Sequence, residues 1–105
     1  MKQPVAAPPV GGFVAEGERW RYAGALVMDN AAHVLAATQA LPLPSSGRVD
    51  FAGLTQADSS ALALIMALRR RAANEGRALQ VDNLPAGLTS LALAYGVDEL
   101  AGGAA

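Results

Sequence analysis

The stretch that decides the fold is Arg48-Val49-Asp50-Phe51-Ala52-Gly53-Leu54-Thr55-Gln56-Ala57-Asp58-Ser59-Ser60-Ala61-Leu62-Ala63-Leu64-Ile65-Met66-Ala67-Leu68-Arg69-Arg70-Arg71, followed, past Asn74-Glu75-Gly76, by Ala78-Leu79-Gln80-Val81. Its first four residues read as a short strand. Residues 61–73 are an unbroken run of Ala, Leu, Ile, Met and Arg, nearly all strong helix formers. Three arginines close that run where the helix dipole is negative, and Asn74-Glu75-Gly76 supplies a stop. Residues 78–81 are apolar enough for a further strand. Strand, helix and strand within about thirty residues make a βαβ crossover, so the two strands are expected to be parallel and the connection right-handed.

Working outward, Phe13-Val14-Ala15 and the alternating Arg19-Trp20-Arg21-Tyr22 read as two strands turned at Gly17, the second ended by Gly24. Asp29 or Asn30 is placed to cap a helix over residues 31–40, closed by Pro42 and Pro44. Pro85 opens a last helix to Tyr95, closed by Gly96. Residues 1–12 hold three of the six prolines and read as a flexible leader, and residues 101–105 as a flexible tail. The outline β-β-α-β-α-β-α predicts one α/β domain over residues 13–100, a small open mixed sheet of about four strands covered by about three helices.

Composition narrows the function. The chain has 105 residues, 52% of them hydrophobic, 16% charged and 5% aromatic, so the core is expected to be mostly Ala, Leu and Val. A net charge of −1 without a basic stripe argues against nucleic-acid binding. There is no Cys and one His, so thiolate zinc sites, thiol nucleophiles and multi-histidine metal sites are excluded. The longest apolar run, residues 61–68, is far short of the ~20 residues that span a bilayer, so no direct membrane insertion is expected. So few charges fit a soluble, cytoplasmic protein that lives against a partner.

Candidate chemistry concentrates at Gly53-Leu54-Thr55-Gln56-Ala57-Asp58-Ser59-Ser60, read as the loop joining strand to helix. One Gly and no Lys exclude a P-loop. Asp58 or Thr55 caps the helix; with Thr55 as cap, Asp58 falls where the second partner of a capping box stands. Either way Ser59 and Ser60 put hydroxyls on the first turn, where N–H groups and dipole tolerate a phosphoryl group or an acidic partner. His33 has no signature pairing it with Ser59, and the G-x-S-x-G elbow is absent, so no catalytic triad is expected. Asp29, Asp50, Asp58, Asp82 and Asp98 sit near element ends, where caps and turns account for them. On the helix over 61–73, Leu62, Ile65 and Met66 form one stripe, with Leu64 and Leu68 partly outside it. A helix apolar nearly all round is not expected to be covered by so small a chain, which makes Leu64, Leu68 and Arg69 a possible flanking interface. The arginines read as a solvated helix end, with an acidic groove on a partner as the alternative.

Val49-Asp50-Phe51 with Leu54, then Asp58-Ser59-Ser60-Ala61-Leu62 opening an apolar helix, resembles the STAS domain, and Arg77-Ala78-Leu79-Gln80-Val81 and Leu91-Ala92-Leu93-Ala94-Tyr95-Gly96-Val97 look like it too. That family includes anti-sigma factor antagonists and the small STAS subunits of Mla-type phospholipid ABC transporters. The resemblance covers about residues 13–100. It implies a non-enzymatic interaction domain without a cofactor, whose partner-binding or phospho-switch residues are Asp58, Ser59, Ser60, Ala61 and Leu62. Ser59 takes the position phosphorylated in the antagonists by an anti-sigma factor that is a serine kinase. In the transporter subunits that position meets the ATPase subunit, at the cytoplasmic face of the inner membrane. Ala61 stands where the antagonists often have Gly, and the short chain with Ala-rich helices looks more like the transporter subunit.

Overall fold

The computed structural model describes residues 11–95. In chain order the elements are β1 (Gly12–Glu16), β2 (Arg19–Leu26), α1 (Met28–Thr38), β3 (Arg48–Ala57), α2 (Ser59–Asn74), β4 (Gln80–Asp82) and α3 (Ala86–Ala94). This is the expected order, in an open mixed α/β sheet of four strands with three helices. The strands lie β1-β2-β3-β4; β1 and β2 are antiparallel, while β2–β3 and β3–β4 are parallel. Right-handed crossovers that advance in one direction across a sheet carry α1 and α2 to the same face. The expected leader up to residue 10 and the tail from 101 lie outside the described residues, as does Gly96; Gly11 is buried and Gly12 opens β1.

Alternation in β2 sorts the two faces. Trp20 and Tyr22 point into the helix layer, at 2% and 0% exposure, and Arg19 and Arg21 point away from it. On the outer face Arg21 meets Glu16 at 3.3 Å and Arg48 meets Asp82 at 3.0 Å. The inner face is more aromatic than the composition promised. Four of the five aromatic residues pack there: the Phe13 ring lies 4.8 Å from Tyr22, 5.3 Å from Trp20 and 5.8 Å from Phe51. Leu26, Val49, Ile65 and Leu68 complete the centre.

Four local expectations are corrected. β2 runs past Gly24 to Leu26, and β3 runs ten residues to Ala57, so Gly53 to Ala57 is strand and not loop. The two strands shift register against each other between Arg21 and Ala23 and again between Gly24 and Ala25, which erases the two-residue period that would have betrayed them. Gly53 permits the approach: a Cβ there would stand 2.5 Å from the Tyr22 carbonyl oxygen. β4 is shorter and later than expected, because Gly47, at φ +74°, turns its carbonyl to accept from the Gln80 N–H at 2.7 Å. Third, α1 starts at Met28 with Val27 as its N-cap, ahead of the Asp29 or Asn30 expected to cap it. Asn30 instead sits in the first turn, accepting from the Val27 N–H and donating to the Ala25 carbonyl, both at 2.9 Å.

The fourth correction concerns α2. Leu64 and Leu68 are core residues, 2% and 1% exposed, and Met66, placed in the buried stripe by its spacing, is 38% exposed. α2 is the middle helix of the layer, packed between α1 and α3, so its own chain covers both flanks. What stays exposed is a narrow crest of Ser59, Ala63, Met66, Arg70 and Ala73, with Asn74 at the end. The arginines divide accordingly. Arg71 is no solvated end: it donates to the carbonyls of Thr38 at 3.0 Å and Leu41 at 2.7 Å, satisfying the C-terminal end of α1, and pairs with Glu75 at 3.3 Å.

Candidate partner-binding site

β3 delivers its last residue, Ala57, to the place where α1 and α2 both begin, and Asp58 joins the three elements. Its Oδ1 accepts from the Ser60 N–H at 2.8 Å, which makes it the N-cap of α2. Its Oδ2 accepts from the Met28 N–H at 3.0 Å, the first residue of α1. One carboxylate thus satisfies orphan donors of two helices. These bonds, to Met28 first and then Ser60, hold the Asp58 carboxyl below the usual carboxylate range. Thr55 lies in β3 and cannot be the cap, so the expected alternative of a Thr55–Asp58 box is replaced by a cap that reaches across the chain.

With the Asp58 carboxylate bonded to the two helix starts, Ser59 is left exposed on the first turn, and its hydroxyl makes no hydrogen bond among the described residues. Ser60 is half-buried. Ala61 and Leu62, at 0% and 3% exposure, anchor the turn in the core and present little surface. Of the residues singled out from the sequence, Asp58, Ser59 and Ser60 therefore form the accessible part of the turn. Leu64 and Leu68 are turned inward, and Arg69 is half-buried on the flank.

One neighbour went unnoticed in the sequence. Met28 is 77% exposed, and together with Ala31, Ala32, Leu35, Ser60, Ala63 and Leu64 it borders an apolar groove of about 270 Å³ between α1 and α2. Nothing in the order of residues places it beside Asp58, because the contact spans thirty positions. His33 is elsewhere: it lines a separate cleft with Phe13 and Leu41, so no triad with Ser59 is assembled. Among the described residues no group of three His, Asp or Glu side chains could hold a metal ion, and no helix is long and apolar enough to cross a membrane.

The fold defines a class: a two-layer α/β domain, a mixed sheet under one layer of helices, in which the exposed first turn of α2 borders an apolar groove. The model of a family described as "Mlab, STAS domain" matches residues 17–102. The chain belongs to the STAS domain family. No curated protein matches it.

Proposed function

We propose that this protein is a non-enzymatic accessory subunit that binds the ATPase subunit of an inner-membrane, Mla-type phospholipid ABC transporter from the cytoplasmic side and regulates its assembly or activity. The observation that carries this reading is the exposed Ser59 turn, held by Asp58 and bordered by Met28, in a chain of the family described by that name. A turn whose capping carboxylate is already committed to two helix N-termini has no group left for acid–base work, yet it offers a fixed shape to a partner. Exposed Met28 beside it, and Met66 two turns further along α2, supply adaptable apolar contact. The test is to mix the purified chain with the ABC ATPase encoded nearest its gene and follow co-elution and ATP turnover. Co-elution with altered turnover is expected; separate elution with unchanged turnover contradicts the proposal.

The free Ser59 hydroxyl favours a second reading, an anti-sigma factor antagonist switched by serine phosphorylation, since phosphate at the start of α2 meets favourable N–H groups and dipole. Incubation with a cognate anti-sigma kinase and ATP separates the two. A single phosphate on Ser59 supports the switch, and an unlabelled Ser59 removes it.

A further inference from the structure

β3 outruns its neighbour. β4 pairs only with Arg48, Val49 and Asp50, and there the ladder stops: the Asp50 carboxylate accepts from the Ala52 N–H, and Asn83, at φ +59°, turns the chain toward α3. From Gly53 to Ala57, about 17 Å of strand, β3 has β2 on one side and no strand on the other among the described residues. An edge of this kind presents backbone donors and acceptors in the order that an added strand needs.

Opposite that edge stands α3, which rests on α2. Between α3 and the far half of β3 lies a cavity of about 350 Å³, within the size range of ligand pockets. Leu54 and Ala57 line its strand side, and Pro85, Leu88 and Leu91 its helix side. The one ionisable side chain that lines it, Asp58, is already bonded to the Met28 and Ser60 N–H groups. Gly87 is the odd member of the helix wall. It lies in the first turn of α3 in ordinary helical backbone, where alanine is the better helix former, and a Cβ on it would meet nothing within 4 Å. Neither backbone conformation nor crowding within the chain calls for a glycine there. A glycine also lets another backbone come close, and at Gly87 the room for one is open.

We infer that the Gly53–Ala57 edge and the start of α3 form a groove for an extended peptide segment, which adds a strand beside β3. The segment sets an apolar side chain among Leu54, Leu88 and Leu91 and passes its backbone over Gly87. The Asp58 carboxylate selects against an acidic residue at its end of the groove. Asp58 both lines the groove and caps the turn that carries Ser59, so the two surfaces are continuous. The segment is therefore assigned to the same partner, the ATPase subunit, and this assignment rests on the reading given above for Ser59.

The test uses the full chain with the purified ATPase subunit. Amides between Gly53 and Ala57 that exchange freely in the isolated chain are expected to slow by at least about tenfold in the complex, followed by hydrogen exchange. Gly87→Leu is expected to raise Tm slightly, because leucine is the better helix former, while weakening binding by at least about tenfold; Gly87→Ala should raise Tm with a smaller loss of binding. If the native chain does not bind the ATPase subunit, the reading at Ser59 fails and strand addition fails with it. If the native chain binds, but Gly87→Leu binds equally well or no amide in 53–57 slows, strand addition alone is overturned. It is also overturned if those amides are already protected in the isolated chain, which would mean that the chain or a second copy fills the edge. Equal slowing by phosphatidylglycerol vesicles without the ATPase subunit would overturn it too, and make the groove a site for an acyl chain.

Discussion

One aspartate stands near the start of β3 and another directly after its last residue, and the two are used in opposite ways. Asp50, near the start, is 5% exposed on the outer face of the sheet. It accepts from the Ala52 N–H at 2.8 Å and from Asn83 Nδ2 at 2.9 Å, with Arg19 at 3.8 Å. Asn83 sits at φ +59°, a conformation an asparagine tolerates better than most residues, and its bond to Asp50 fixes the turn that leads into α3. Both hydrogen bonds fall on Oδ1 and close the structure locally, while Oδ2 faces Arg19. Asp58, at the far end, spends its two oxygens on two helix starts and leaves the next residue, Ser59, outside. The same type of side chain makes a latch near the start of the strand and a platform just past its end. The difference lies in whether a helix follows directly.

That contrast can be broken first at the point joining the two ends. Gly53→Ala places a Cβ 2.5 Å from the backbone oxygen of Tyr22, which cannot step aside cheaply, and should cost about 3 kcal/mol in urea unfolding. A tolerated alanine would mean that β3 is not continuous between Asp50 and Asp58. Asp50→Ala comes next. It strands the Asn83 amide and the Ala52 N–H and should cost about 2 kcal/mol, while leaving partner binding intact. Asp58→Ala should lower Tm by less, because water reaches the freed N–H groups, and Asp58→Asn should recover most of the loss, because an amide oxygen still caps α2.

Acid sharpens the comparison further. The bond from Asn83, with help from the Ala52 N–H and the two arginines, holds the Asp50 carboxyl below its ordinary value despite burial. Asp58 is held low as well. A carboxyl depressed in the folded state adds stability that is complete above its unfolded value, and that stability is lost as pH falls through the folded value. Stability should therefore be level above the usual carboxylate range near pH 4 and fall below it. Asp50→Asn should flatten that fall. An unchanged acid profile would show that the Asp50 network contributes nothing.

How much of this was legible in the order of residues follows from how local each cause is. α2 was legible because strong helix formers and an adjacent Asp cap are all within one segment; its first turn, Ser59 and Ser60, lies ahead of the unbroken run of helix formers at 61–73. The βαβ unit and its one parallel pair, β3–β4, followed from it. The second half of β3 was illegible, since the register shifts against β2 belong to a pair of strands and not to either alone. The start of α1 was illegible for the same reason: the acceptor for its first N–H arrives from Asp58. Met66 and Leu64 exchanged places because a helical stripe fixes the buried face only when one side is covered, and here α1 and α3 cover two more. At the site, the motif placed Ser59 on the first turn, but Met28 and the double use of Asp58 needed the tertiary structure.

Ser59→Glu tests the central claim most directly, because it should be the mildest change to the fold and the most harmful to the interface. A carboxylate in the first turn suits the helix dipole, so Tm should stay within a degree or two or rise slightly, at about 0.3 kcal/mol or less. The measurement is the binding isotherm of the native chain and of Ser59→Glu for the ATPase subunit, taken with the Tm of each. The account predicts equal or higher Tm and loss of binding by at least about tenfold, equivalent to about 1.4 kcal/mol. Equal binding by the two chains would contradict it and remove the Ser59 turn from the interface.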